Sequence, residues 1–224
     1  MDAERQSGYR ELLISGELAK RARAAYDRLT DCDLCGWQCR VDRHQRSGAC
    51  NTGVEAVVAS YGAHHGEEDP LRGRRGSGTI FFSWCNLRCQ FCQNADISQS
   101  GHGRAVSSEQ LAAMMLELQE QGCHNINFVS PSHVVAQILA ATLIAAQAGL
   151  FLPLVFNTGG YDSLAALALL DGVIDIYMPD VKYADASIAK KYSRIPNYPA
   201  VNQIAVKEMH RQVGDLILDE HGVA

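Results

Sequence analysis

Two periods of apolar residues run through this chain. Short β-branched and aromatic runs open the stretch 78–94 and recur at 124–129, 151–156 and 173–178, and each reads as a buried strand. Between them the spacing changes to helical. Leu111, Met114, Met115 and Leu118 fall at i, i+3, i+4 and i+7, Ser107 with Gln110 forms a capping box, and Gly122 supplies a stop, which predicts a helix over 107–121. An Ala-rich helix is predicted over 134–148 and a shorter one over 163–170. Residues from about 9 to 29 read as one packing helix, and 187–192 and 198–213 as helices. A short strand is expected to start at 216–218, a Val-rich segment over 51–60 reads as a small hairpin strand, and the Gly-rich, charged stretch 62–78 reads as a long loop.

Strand, helix, strand, helix calls for a parallel sheet or barrel with right-handed crossovers. Functional residues in such folds sit at the carboxyl ends of the strands. Here those ends carry a cysteine loop, Ser130-Pro131-Ser132-His133, Asn157-Thr158-Gly159-Gly160, and Pro179-Asp180-Val181-Lys182. All four are polar or Gly-rich and share one rim, which marks a site. Four strand–helix units do not close a barrel, so the expected fold is α/β, a partial barrel. The expected domains are a helical, cysteine-rich metal-binding segment over 1–75 and the partial barrel over 76–224.

Composition narrows the chemistry. With 47% hydrophobic residues a sizeable core is expected, and a formal charge of −5 argues against nucleic-acid binding. Arg72, Arg74 and Arg75 read as a solvated loop. The polar start, Met1 to Tyr9, has no apolar core of signal-peptide length, and the longest apolar run is interrupted by Gln137 and Thr142. The expected setting is therefore the cytoplasm, with no membrane span, where thiols stay reduced and clustered cysteines serve as metal ligands.

Cys85, Cys89 and Cys92 are spaced C-x3-C-x2-C. Three thiolates suit an iron–sulfur cluster of four irons and leave one iron open to bind and activate something else. The competing reading is structural zinc with a distant fourth ligand such as Cys123 or a histidine. Upstream, Cys32, Cys35, Cys39 and Cys50 gather four thiols within nineteen residues. Zinc, a second iron–sulfur cluster and free thiols all remain open there. Asp42, Arg43 and His44 are expected to solvate the intervening turn. His64-His65-Gly66-Glu67-Glu68 is expected to face water, and Gly73, Gly76 and Gly78 precede a strand instead of following it, so they form no dinucleotide fingerprint.

The strand followed by C-x3-C-x2-C, with Phe91 before the last cysteine, resembles the radical S-adenosylmethionine (SAM) superfamily. Residues 76–83, Cys85-Asn86-Leu87-Arg88-Cys89, Phe91-Cys92-Gln93-Asn94, Ile97-Ser98-Gln99, Asn125-Ile126-Asn127, 175–182 and 208–214 are similar to its branch of pyruvate formate-lyase activating-enzyme-like proteins. The resemblance runs from about Cys32 to the end. It implies a [4Fe–4S] cluster on Cys85, Cys89 and Cys92 that binds SAM through its open iron. Reductive cleavage would then give methionine and a 5′-deoxyadenosyl radical that abstracts hydrogen from a substrate.

For the branch, the resemblance implies a backbone glycine of a glycyl-radical enzyme as substrate and a reductant such as flavodoxin or ferredoxin. It also implies cofactor contacts at Ser130, Ser132, Asn157, Thr158, Met178, Asp180 and Lys182. The chain departs from the branch at four points, the first being that the last two strands of the family's six-unit partial barrel are absent, so a C-terminally truncated barrel is expected. Ser130-Pro131-Ser132-His133 replaces a Gly-Gly-Glu-like turn, Asn157-Thr158-Gly159-Gly160 replaces Asp-Thr-Asn-Gly, and Trp84 stands where Gly is usual and is expected to crowd the cluster loop. Two functions of other classes compete: a truncated, inactive iron–sulfur or electron-transfer protein, and a zinc-binding interaction module resting on Cys32, Cys35, Cys39 and Cys50.

Overall fold

The computed structural model describes residues 7–224; most of the polar N-terminal stretch read above lies outside them. In chain order the elements are α1 (Tyr9–Ile14), α2 (Glu17–Asp27), β1 (Ala56–His64), α3 (Asp69–Arg72), β2 (Ser77–Phe82), α4 (Ala95–Ser98), β3 (Arg104–Val106) and α5 (Ser108–Glu120). There follow β4 (Ile126–Val129), α6 (Val135–Gln147), β5 (Leu154–Thr158), α7 (Leu164–Leu170), β6 (Ile176–Pro179), α8 (Ala186–Ser193) and α9 (Tyr198–Val213). The strands form one sheet in the order β3-β1-β2-β4-β5-β6. β2, β4, β5 and β6 run parallel, joined through α5, α6 and α7, while β1 and β3 add an antiparallel flank.

Register explains how the sheet sorts its side chains. Ile80, Phe128, Phe156 and Tyr177 align across the parallel strands on one face. Phe82 and Phe128 stack 6.1 Å apart on that face, and Phe156 meets Tyr177 edge-on at 5.8 Å. Leu111, Met115 and Leu118 of α5 and Ile138, Leu139 and Ala145 of α6 join Ile80, Phe82, Phe128 and Phe156 in one buried core, with Tyr177 partly buried against it. The opposite face carries Phe81, Val129, Asn157 and Met178 in register, and it is the face that opens into a cleft.

The helices at 107–121, 134–148 and 163–170 form within a residue of expectation. Both arms of the Ser107–Gln110 capping box are made, and Ser163 caps α7 by accepting from the Ala166 N–H. Other expectations are corrected. The helix over 9–29 is broken, because Gly16 adopts a left-handed φ of 75° that separates α1 from α2. The Val-rich segment joins the main sheet as β1 and runs on to His64, so the expected loop over 62–78 begins late and holds α3. β1 precedes the expected boundary at 75 and pairs with β2 beyond it. Residues 216–218 form no strand; all three are exposed, and a short apolar run alone does not specify one. Among the described residues no helix is long and apolar enough to cross a membrane.

Candidate functional site

β2 ends at Phe82 and the chain turns sharply through Ser83 and Trp84 into the cysteine loop. Trp84 has a left-handed φ of 65°, a conformation that costs a non-glycine residue roughly 1–2 kcal/mol. Its N–H donates to the Ile97 carbonyl at 2.9 Å, and its ring lies so close over Gly101 that a methyl group there would collide with it. Trp84 is not among the residues that line the cleft, and its left-handed backbone is one that glycine adopts freely.

Beyond Trp84, Cys85, Cys89 and Cys92 all line one cleft of about 570 Å³. Each sulfur has a polar neighbour. The Leu87 N–H donates to Cys85 Sγ (3.4 Å), the Ser193 hydroxyl to Cys89 Sγ (2.9 Å), and Ser98 Oγ lies 3.2 Å from Cys92 Sγ. Burial pushes the Cys85 thiol up to about 11 and raises Cys89 as well, so both are protonated thiols until a cation stabilises the thiolates. Phe91, the aromatic of the motif, lines the same cleft and meets Tyr183 edge-on.

The other strand ends close round this loop. Ser130, Asn157, Thr158, Asp180 and Lys182 line the cleft with the three thiols. Lys182 Nζ pairs with Asp180 Oδ2 at 2.6 Å. Burial pulls the Lys182 ammonium down, but the Asp180 pair outweighs it and the net shift is upward, so the cleft holds a fixed cation beside the thiols. Ser132 and Met178 are not among the lining residues. Ser132 is buried behind Thr158, with the hydroxyl oxygens 2.8 Å apart, and Thr158 donates to Asp162 Oδ2 at 2.7 Å.

Three features escaped the sequence reading. Asp162 is buried and its Oδ1 has no hydrogen-bond partner among the described residues; burial pushes its carboxyl up to about 6. Tyr198 and Asn202, on the buried face of α9, tie two turns together. The Tyr198 hydroxyl contacts the Gly159 and Asp180 carbonyls, and the Asn202 amide donates to the Gly160 and Asp180 carbonyls. Their spacing with Ala205 and Met209 signals a buried helical stripe but not this role. Finally, His64 and Glu67, expected to face water, line the cleft, and burial raises the Glu67 carboxyl. His64 is held edge-on against Phe81 at 5.6 Å.

Residues 79–210 match the Radical SAM superfamily. The chain belongs to that superfamily. It is also similar to the uncharacterized protein MJ0674 of Methanocaldococcus jannaschii, at 27% identity over 200 residues. That alignment covers 85% of this chain and 58% of the relative, so the chain spans less than two thirds of that protein's length. The radical SAM superfamily implies a [4Fe–4S] cluster and SAM, and the cleft's donor set fits them. It has three thiols, a volume in the range of ligand pockets, and hydroxyl, amide, carboxylate and ammonium groups from three further strand ends. Among the described residues no three His, Cys, Asp or Glu side chains stand gathered as a single-ion site.

The second thiol group has its own place. Cys32, Cys35, Cys39 and Cys50 line a separate cavity of about 10 Å³ behind the cysteine loop. Arg43, expected to solvate a turn, is instead buried there at 3% exposure.

Proposed function

We propose that this radical SAM protein binds a [4Fe–4S] cluster through Cys85, Cys89 and Cys92 and reductively cleaves SAM. One observation carries the reading: the three thiols share a single cleft with Ser130, Asn157, Thr158, Asp180 and Lys182 from the ends of three other parallel strands. When bound, the cluster supplies one electron to the sulfonium of SAM, breaking a C–S bond to give methionine and a 5′-deoxyadenosyl radical.

The chain's own groups bind and orient. The Lys182 ammonium offers a partner for the methionyl carboxylate, and Asp180, beside it, accepts from an ammonium. Ser130 and Thr158 add hydroxyls and Asn157 an amide. The Ser193 and Leu87 donors stabilise sulfur negative charge at Cys89 and Cys85, a lever that tunes cluster potential. Tyr198 and Asn202 fix the turns bearing Gly159 and Asp180, and so hold the cleft's far wall in place. Phe91 and the buried Leu87 add apolar wall to the cleft.

In the same reading the electron comes from a donor such as flavodoxin or ferredoxin, the setting is cytoplasmic, and hydrogen is taken from a protein substrate such as the glycine of a glycyl-radical enzyme. The local similarity to activating-enzyme-like sequences supports the last point. Mixing the reconstituted, reduced protein with candidate glycyl-radical enzymes and recording the glycyl radical by electron paramagnetic resonance tests it. A radical on the partner is expected, and SAM cleavage with no radical on any partner would remove the activating role alone.

A further inference from the structure

The sequence left the occupant of the four upstream cysteines open among a single ion, a cluster and nothing. Two structural observations bear on it. Cys32, Cys35, Cys39 and Cys50, with Trp37 and Arg43, line one small cavity of about 10 Å³, room for one water-sized or ion-sized body. Cys39 and Cys50 both reach within 4 Å of the point where a Gly48 side chain would start, so glycine at 48 leaves room for the sulfurs to approach one another.

The second observation is electrostatic. The Arg43 guanidinium is buried, donates to the carbonyls of Gly53 (2.9 and 2.6 Å) and His133 (2.8 Å), and lies 4.0 Å from Cys32 Sγ. Among the described residues no carboxylate pairs with it. A buried cation without an anion is costly, and thiolates held on a metal are the anion this cavity can supply.

The segment also braces the cysteine loop from behind. The Trp37 indole N–H donates to the Asn86 carbonyl at 2.7 Å, and the Gly36 N–H and the Asn86 amide both donate to the Tyr161 carbonyl. Arg88 reaches the Ala49 carbonyl at 3.2 Å. Arg43 holds His133, whose Nε2 lies 3.1 Å from the Ser83 carbonyl.

We propose that Cys32, Cys35, Cys39 and Cys50 draw together on one tetrahedral divalent ion, zinc by ligand chemistry, and that this closed site braces residues 83–88 of the cysteine loop. Four sulfurs leave no open coordination position, so the site is structural. The four sulfurs line the cavity but do not yet stand gathered as an ion site.

The test uses the full chain carrying Cys85→Ala, Cys89→Ala and Cys92→Ala, so that it does not depend on the cleft binding a cluster. Purified under reducing conditions with zinc, it should hold one zinc per chain, and Co²⁺ in its place should give the absorption of a tetrahedral four-sulfur site. Adding Cys39→Ala should abolish stoichiometric binding, and Cys39→His, which keeps a ligand, should restore it. Zinc should slow hydrogen exchange of peptides covering 83–88 several-fold. Uptake of iron and sulfide in place of a single ion, or no metal at all, would overturn the site. Stoichiometric zinc with unchanged exchange in that loop would overturn the bracing.

Discussion

Replacing Asp162 with Asn tests how the cleft is built. The Thr158 hydroxyl accepts from Ser132 and from the Gly160 N–H and donates to Asp162 Oδ2, so the carboxylate fixes which way a cleft-lining hydroxyl points. The carboxyl is 2% exposed and has risen from 3.8 to about 6, chiefly through burial and against the pull of Thr158 and Ser132. A folded-state pKa above the unfolded one means that the native protein binds the extra proton between those values. Stability is therefore full below about pH 4 and is lost as pH rises through about 6. At about 1.4 kcal/mol per unit the loss is about 3 kcal/mol.

Asp162→Asn cannot titrate. It carries a constant cost of roughly 1–3 kcal/mol because its amide N–H faces the position where Oδ1 has no partner. The difference in unfolding free energy between variant and parent should therefore shift in the variant's favour by about 3 kcal/mol between pH 4 and pH 7. Denaturant unfolding of both proteins across that range measures it, with other titrating groups cancelling in the difference. A difference that stays flat with pH would show that folding does not raise the Asp162 carboxyl.

Gly101→Ala puts a methyl group into the Trp84 ring at a left-handed φ of 71°, and should cost roughly 2–4 kcal/mol in thermal or denaturant unfolding. Lys182→Gln removes the cation at the cleft wall and strands Asp180. Equilibrium dialysis should show SAM binding weakened by roughly tenfold, about 1.4 kcal/mol. Because burial raises the Cys85 and Cys89 thiols, iron loading of the cleft should slow steadily from pH 8.5 to pH 6.5, followed by the rise of iron–sulfur absorption.

The order of strands and helices could be read from the sequence because β2, β4 and β5 are largely buried and near-continuously apolar, and because α5 and α7 carry their own N-caps at Ser107 and Ser163. The cysteine loop and the turns after β4, β5 and β6 followed from that order. What escaped depends on contacts distant in sequence. A Val-rich run cannot announce that it will pair with residues twenty positions later, and Arg104-Ala105-Val106 is too short and polar to read as a strand. Arg43 looked solvated because its neighbours Asp42 and His44 are. Its burial comes from carbonyls at Gly53 and His133. His64 and Glu67 sit in a charged stretch, and only the path of β1 carries them into the cleft. Ser132 and Thr158 were equivalent as hydroxyls on one rim until the fold turned one of them inward, behind the other.

Everything proposed for the three-thiol cleft depends on reductive cleavage of SAM there. The direct measurement is anaerobic reconstitution with iron and sulfide, reduction, addition of SAM, and quantification of 5′-deoxyadenosine and methionine. Both products are expected in equal amounts, and neither from the Cys85→Ala, Cys89→Ala or Cys92→Ala proteins. An intact cluster that yields no 5′-deoxyadenosine, with an electron paramagnetic resonance spectrum unchanged by SAM, would contradict that expectation.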